Sequence, residues 1–176
     1  MTKLSVNVST HDHAQGAATA PITLVEYGDY ECSHCGRAYP VVKQLQAKLG
    51  TKLRLVFRNF PLTQSHPHAL HAAEVAEAGA LHGKFWELHD KLYENQGALD
   101  DRHLLGYAKE LGLDPEKIAS DASSDKVVAR IRADIESGEN SGLTGTPTFY
   151  INGIKHEGGS DYASLLAALE AASHHA

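Results

Sequence analysis

The spacing of apolar residues changes along the chain, from short strand-like stretches to the three- and four-residue intervals typical of helices. Residues 4–8 alternate between apolar and polar, and residues 22–27 form a short apolar run, which predicts two strands. Residues 33–49 show helical spacing up to Gly50, with Pro40 inside the segment. With a further strand, this order predicts a βαβ unit and a parallel pair. The elements predicted in this part are a strand at 4–8, an irregular and mobile segment at 10–21, a strand at 22–27, a helix at 33–49 and a strand at 52–58.

The middle of the chain, from residue 65 to residue 141, has the pattern of helices separated by short turns. Ser65 and Asp114 precede apolar runs and are predicted as helix caps. A strand signal returns at 148–151, where Asn152-Gly153 predicts a tight hairpin to a strand at 154–156. The predicted helices are 65–81, 84–95, one from Asp100 or Asp101 to Gly112, a short one from Pro115, one from Ser124 to Gly138, and a closing one from Ser160 or Asp161.

Length and composition indicate one globular domain with room for an inserted subdomain. The chain has 176 residues, of which 42% are hydrophobic, and a formal net charge of -6. No extended basic cluster is present, so nucleic acid is not an expected partner. The first residues hold no apolar run long enough for a signal peptide or a membrane helix, which predicts a cytoplasmic protein with no membrane partner. A periplasmic or other extracytoplasmic location would follow if a leader had been removed.

Two cysteines, Cys32 and Cys35, are the only ones in the chain and enclose Ser33 and His34. At a helix start, Cys32 takes the N-cap position, where backbone N–H groups and the helix dipole favour a thiolate. Cys32 is therefore the predicted nucleophile, and Cys35, one turn further on and buried, is the predicted resolving thiol. His34 can donate a hydrogen bond or a positive charge to the Cys32 sulfur and lower its pKa further.

In a reducing cytosol, a single Cys-x-x-Cys indicates either a redox-active pair or a metal site. A zinc site would need two ligands besides the cysteines, and His11, His13 and His34 are candidates only if the segment 10–21 folds back. The chain has twelve histidines, of which His66, His68 and His71 lie close together in sequence. Their positions around a helix start predict cap and surface residues, so no metal site is expected there.

Glu26 lies inside the apolar strand at 22–27, six residues before Cys32. A carboxylate in such a run either faces water or is buried for a reason. The alternation along the strand places Glu26 on one face with Leu24 and does not decide between these alternatives.

Four separated segments give the chain a resemblance to a known family. In this order they resemble the DsbA family of thiol–disulfide oxidoreductases, and the similarity runs from about His11 to the C-terminus. The dipeptide Ser33-His34 departs from the many relatives that have proline first, so their redox potential does not carry over. The segments are Val25-Glu-Tyr-Gly-Asp-Tyr-Glu-Cys-Ser-His-Cys35, Phe57-Arg-Asn-Phe-Pro-Leu62, Lys84-Phe-Trp-Glu-Leu-His89 and Gly145-Thr-Pro-Thr-Phe149.

The resemblance implies an α/β protein with a thioredoxin-like fold and an inserted all-helical subdomain. Residues 1–62 and 141–176 would form the thioredoxin-like domain, and residues 63–140 the insertion. The resemblance implies no cofactor.

The resemblance also implies roles for residues outside the cysteine pair. Pro147 would be a cis proline that faces the cysteines, and the Thr146 backbone would pair with an extended substrate peptide. Glu26 matches the family's buried acidic residue, whose raised pKa lets it move protons for Cys35. An apolar patch around the cysteines would bind unfolded protein segments. Its predicted members are Tyr30, His34, Thr146 and Pro147.

These features predict a thiol–disulfide oxidoreductase that exchanges disulfides with protein or peptide substrates through Cys32 and Cys35. A redox partner, which the sequence does not identify, would recharge it. One alternative is a glutathione-dependent transferase or isomerase of the same fold, although such proteins usually replace the nucleophilic cysteine with serine and lose the second thiol. Another is a metal-binding or holdase module that uses the cysteine pair to hold zinc or copper.

Overall fold

One sheet runs through the part of the chain that the computed structural model describes, residues 1–174, and contains five strands. The spatial order of the strands is β1-β3-β2-β4-β5. The pairs β1 with β3, β2 with β4 and β4 with β5 are antiparallel. The second part of the predicted thioredoxin-like domain, residues 141–176, ends with two residues, 175 and 176, that lie outside the described residues. The strands are β1 (His13–Gln15), β2 (Ile22–Gly28), β3 (Leu53–Asn59), β4 (Thr148–Ile151) and β5 (Ile154–Lys155).

The helices follow the predicted pattern, and several begin at the predicted caps. The side chains of Asp100, Asp114 and Asp161 accept main-chain N–H bonds at the starts of three helices, which satisfies donors that have no partner inside the helix. Pro40 lies inside the first helix, as expected. The helices are α1 (Ser33–Leu49), α2 (Ala69–Ala80), α3 (Phe85–Glu94), α4 (Asp101–Glu110), α5 (Pro115–Ala122), α6 (Asp125–Asn140) and α7 (Tyr162–Ser173).

The predicted hairpin between β4 and β5 is confirmed. Asn152 and Gly153 have φ angles of 48° and 81°, the left-handed conformation that a tight two-residue hairpin turn requires. The Asn152 side chain also accepts a hydrogen bond from the Thr23 N–H at 2.8 Å, which joins the turn to β2.

The prediction of a strand at residues 4–8 is wrong, because no strand forms there and β1 lies instead in the segment predicted to be irregular. The Arg58 guanidinium explains the difference. It donates hydrogen bonds to the carbonyl oxygens of Val6 at 3.0 Å and Asn7 at 3.4 Å, and it forms a salt bridge with Asp12 at 2.8 Å. These carbonyl groups therefore accept hydrogen bonds from a side chain. In a strand they would accept them from the main chain of a neighbouring strand.

The predicted cap at Ser65 is also wrong, because α2 begins four residues later than expected. Pro67 disfavours helical geometry at His66, the residue before it. The N–H groups of Ser65 and His66 both bond to the Leu62 carbonyl, at 3.0 and 2.9 Å, which makes a turn ahead of the helix.

The described residues divide into two compact units. We call the first the sheet unit; it comprises residues 1–28, 37–58 and those from 137 onward, and in it α7 packs against β2 and β4. The second, the helical unit, comprises Asp29–Gly36 and Asn59–Glu136. Both cysteines lie in the helical unit. The domain boundaries predicted after residues 62 and 140 stay a prediction.

A buried polar cluster surrounds Asn59, the last residue of β3, where the chain enters the helical unit. The Asn59 main-chain N–H donates to Asp134 at 2.9 Å, and its side-chain amide donates to Glu77 at 2.8 Å. Burial raises the pKa of Asp134 to about 6, although the Arg130 guanidinium beside it opposes the rise.

Within residues 1–174, no helix has both the length and the apolar character needed to cross a membrane.

Candidate active site

The cysteine pair lies at the point where the main chain turns from β2 into α1. The Cys32 N–H donates to the Asp29 carbonyl at 3.2 Å, and the Cys32 carbonyl accepts from the Gly36 N–H at 3.0 Å. Since α1 begins at Ser33 and the Cys32 carbonyl accepts a bond of helical type, Cys32 occupies the N-cap position, as predicted. The helix dipole at this position favours a negatively charged sulfur.

No disulfide joins Cys32 and Cys35, and the exposure of the two residues differs in the direction that the predicted roles require. Cys32 keeps an exposed fraction of 4%, whereas Cys35 has 0%. A thiol that an external sulfur attacks needs some access, and a resolving thiol needs none. His34 is exposed in the first turn of α1, and its predicted effect on Cys32 stays a prediction.

Gln96 holds the cysteine segment in place, a role that no sequence pattern indicates. Its side-chain amide donates to the carbonyl oxygens of Tyr30 at 2.8 Å and Cys32 at 2.9 Å. Gln96 lies in the turn that follows α3, in a polar stretch that reads only as a loop. Its role arises from a contact between residues 64 positions apart.

Gly36 should resist substitution even though alanine is the better helix former. An added Cβ at Gly36 would overlap the Gln96 amide and displace it from its two hydrogen bonds. We expect Gly36→Ala to lower the free energy of unfolding by roughly 1–2 kcal/mol, as urea denaturation would measure. Gly106 in α4 is the matched control: a Cβ there meets nothing within 4 Å, so Gly106→Ala should stabilise the protein by up to about 1 kcal/mol. Equal effects at both glycines would contradict the role of Gln96.

Tyr30 is part of an aromatic cluster in the helical unit. Only 1% of the residue is exposed, and its hydroxyl shares a hydrogen bond of 3.0 Å with His89 Nδ1. Its ring lies 4.9 Å from that of Tyr93. Phe85 and Tyr93 in α3 are buried as well, whereas Trp86 beside them is only partly buried. Contact between Tyr30 and a substrate would require its ring to leave this cluster.

Glu26 is buried, as the resemblance implied. Its exposed fraction is 3%, and its Oε1 has no hydrogen-bond partner among the described residues. Burial disfavours the charged form and raises the pKa of Glu26 to about 8. Its predicted action on Cys35 stays a prediction.

The peptide bond between Thr146 and Pro147 is cis, as predicted. It lies directly before β4 in the sheet unit, where the Thr148 hydroxyl donates to the Gly145 carbonyl at 2.7 Å and closes the turn. The predicted contact of Thr146 and Pro147 with a substrate peptide stays a prediction.

His66, His68 and His71, which lie close together in sequence, only partly follow the prediction that they are cap and surface residues. His68 is exposed at the N-cap of α2, although its side chain makes no capping bond, and His71 lies 3.4 Å from Asp101. His66 differs, because its ring is held by Asp29 at 2.8 Å. Across residues 1–174, no three His, Cys, Asp or Glu side chains are grouped so that they could hold a metal ion.

Comparison with known proteins identifies the family. The sequence profile described as thioredoxin matches residues 8–171. The chain therefore belongs to the thioredoxin family.

Solved structures place the fold within that family. A thioredoxin-like oxidoreductase from Silicibacter pomeroyi superposes with a TM-score of 0.85 at 28% identity, over 96% of this chain and 95% of that one. DsbA2 from Pseudomonas aeruginosa superposes with a TM-score of 0.76 at 27% identity, over 93% and 96% of the two chains. The thioredoxin-like fold and the resemblance to DsbA proteins are thus confirmed.

Curated relatives include much longer proteins. The Na(+)/H(+) antiporter NhaA 1 of Salinispora arenicola is 44% identical over 161 residues, which are 92% of this chain and 24% of that protein. The chain thus spans about a quarter of the length of the curated relatives it matches. The name Na(+)/H(+) antiporter belongs to those whole proteins and not to the quarter that this chain matches.

Proposed function

We propose that this chain is a thiol–disulfide oxidoreductase that exchanges disulfides with protein thiols through Cys32 and Cys35. The observation that carries the proposal is the Cys-x-x-Cys at the start of α1, with Cys32 at the N-cap and slightly exposed while Cys35 is fully buried. Membership of the thioredoxin family and the similarity to a solved oxidoreductase support it.

The exchange proceeds in two thiolate attacks. In the oxidising direction, a substrate thiolate attacks the Cys32 sulfur of the Cys32–Cys35 disulfide, and Cys35 leaves as a thiolate. A second substrate thiolate then attacks the substrate sulfur of the mixed disulfide, and Cys32 leaves as a thiolate. The substrate loses two electrons and gains a disulfide, while the protein becomes the dithiol. The reducing direction reverses these steps.

Two groups of the sheet unit have proposed roles in this reaction. Glu26 supplies a proton to a departing thiolate or accepts one from a thiol, because a buried carboxyl group with a pKa of about 8 changes its protonation close to neutral pH. Thr146, before Pro147, offers its main chain to an extended substrate peptide, which would add to it like a strand. Both roles rest on the resemblance to DsbA proteins.

The experiment that tests the proposal mixes the oxidised chain with a reduced peptide dithiol and follows disulfide transfer by mass spectrometry. One disulfide per molecule should reach the peptide, and the double variant Cys32→Ser/Cys35→Ser should transfer none. Transfer by the wild type no faster than by the double variant would refute the proposal.

Equilibration of the cysteine pair against glutathione gives the direction of the reaction. A potential near about -120 mV would indicate a strong oxidant of an extracytoplasmic compartment, and one near about -270 mV a cytosolic reductase.

A further inference from the structure

Asp29 is a buried carboxylate that joins the cysteine segment to the loop before α2 within the helical unit. Its exposed fraction is 1%. One carboxylate oxygen accepts the Glu31 N–H at 2.8 Å, and the other accepts the Leu62 N–H at 2.8 Å. The second oxygen also bonds His66 Nδ1 at 2.8 Å, while the Asp29 main-chain carbonyl accepts the Cys32 N–H. Asp29 is therefore bonded to both Cys32 and His66.

The His66 imidazole is favoured in its charged form. The hydrogen bond with Asp29 is the largest influence and raises the pKa of His66, and burial, the next largest, lowers it. The negative charges of Asp29, of a Cys32 thiolate and of Glu31 each raise it by a smaller amount. The interaction between two titrating groups is mutual, so a His66 cation stabilises the Cys32 thiolate as much as the thiolate stabilises the cation. About a quarter of the His66 side chain is exposed, so that solvent can exchange its proton.

We infer that Asp29 and His66 form an oriented ion pair that stabilises the Cys32 thiolate, a role that rests on the proposed disulfide exchange. Asp29 is the positioning residue, and its bonds to two main-chain N–H groups and to the ring fix His66 Nδ1. His66 supplies the positive charge. When a substrate sulfur displaces Cys32 from a mixed disulfide, the positive charge of His66 stabilises the leaving thiolate and lowers the barrier to its departure.

Other charged groups around Cys32 work in both directions, and the pH dependence has to include them. The Glu31 carboxylate, which accepts the His68 N–H at 2.6 Å, opposes the thiolate. His34, in the first turn of α1, adds a second titrating group on the solvent side. The ring of His66 is bonded to the buried Asp29 carboxylate, which fixes its orientation.

The test measures Cys32 alone, in a Cys35→Ser background, by the pH dependence of its alkylation and of thiolate absorbance. His66→Gln keeps a donor for Asp29 but removes the charge, so the pKa of Cys32 should rise by about one unit and its alkylation below that pKa should slow roughly tenfold. His66→Lys restores a positive charge and should recover part of this loss. His82→Gln is the matched control, because His82 forms a similar half-exposed pair with Asp121 at 2.7 Å, and it should change nothing at Cys32.

Coincident titration curves for the wild type and a folded His66→Gln variant would overturn the inference and leave the pair a structural contact. If His66→Gln does not fold, the reciprocal measurement decides without substitution at that site: the pKa of His66, followed by nuclear magnetic resonance, should fall when Cys32→Ser is added to the Cys35→Ser background. An unchanged His66 pKa would refute the coupling. A shifted Cys32 pKa in the His66→Gln variant, together with a wild-type chain that transfers no disulfide to a peptide, would refute the proposed function and leave the effect of His66 on Cys32 standing.

Discussion

Replacing Cys32 with serine should abolish disulfide exchange, whereas replacing Cys35 should trap it halfway. Without Cys32, the more accessible of the two thiols, which the substrate attacks, is lost, and the fully buried Cys35 cannot be reached from solvent. Without Cys35, Cys32 still attacks a substrate disulfide, but nothing inside the protein releases the mixed disulfide. Mass spectrometry of each variant after incubation with a peptide disulfide should find a covalent adduct only in Cys35→Ser.

The rates of alkylation of the two thiols give an independent measure of the same roles. In the reduced wild type at neutral pH, we expect iodoacetamide to modify Cys32 at least about tenfold faster than Cys35, since Cys32 has both the helix N-terminus and the residual exposure. Peptide mapping at short times separates the two sites, and urea-unfolded protein supplies the control in which both should react alike. Equal rates in the folded protein, or adducts on Cys35 in the Cys32→Ser variant, would contradict the assignment.

The chemistry of the site could be predicted from the sequence wherever it depends on neighbours along the chain. The Cys-x-x-Cys spacing determines which thiol caps α1 and which follows one turn later. Asp100, Asp114 and Asp161 are visible as helix caps because each acts on the N–H groups of the next few residues.

The remaining interactions join residues far apart in sequence. His66 is bonded to a carboxylate 37 positions away, and Gln96 to carbonyl groups 64 and 66 positions away. The spacing of apolar and polar residues along the chain does not indicate contacts between residues so far apart. The false strand at residues 4–8 has the same cause. Apolar and polar residues do alternate there, but the distant Arg58 guanidinium binds the carbonyl groups that a strand would need.

The burial of Glu26 could not be predicted from alternation for a different reason. β2 lies between β3 and β4, and every residue from Leu24 to Gly28 is buried. A strand covered on both faces loses the contrast between inward and outward positions. The resemblance to DsbA proteins supplied the expectation of burial that the pattern could not.

That burial leads to a large expected effect of Glu26→Gln on stability, and the effect should depend on pH. Folding raises the pKa of Glu26 from its ordinary value of 4.5 to about 8. The folded state then holds a proton that the unfolded state has lost, so this group's contribution to stability is fully present below about pH 4.5, falls as the pH rises and is lost above about pH 8. Glutamine is neutral and similar in shape, so it avoids this loss at every pH.

We therefore expect the Glu26→Gln variant to match the wild type near pH 4.5 and to exceed it increasingly up to pH 8, with no further gain at higher pH. The gain in the free energy of unfolding should be on the order of 3–5 kcal/mol, because each unit of pKa shift corresponds to about 1.4 kcal/mol. Urea denaturation followed by circular dichroism across this pH range measures the difference directly. Glu170→Gln, at an exposed carboxyl group on α7, is the control and should give a constant difference from the wild type. If Glu26→Gln gives the same constant difference, Glu26 does not hold a proton in the folded state, and its proposed part in proton transfer fails with it.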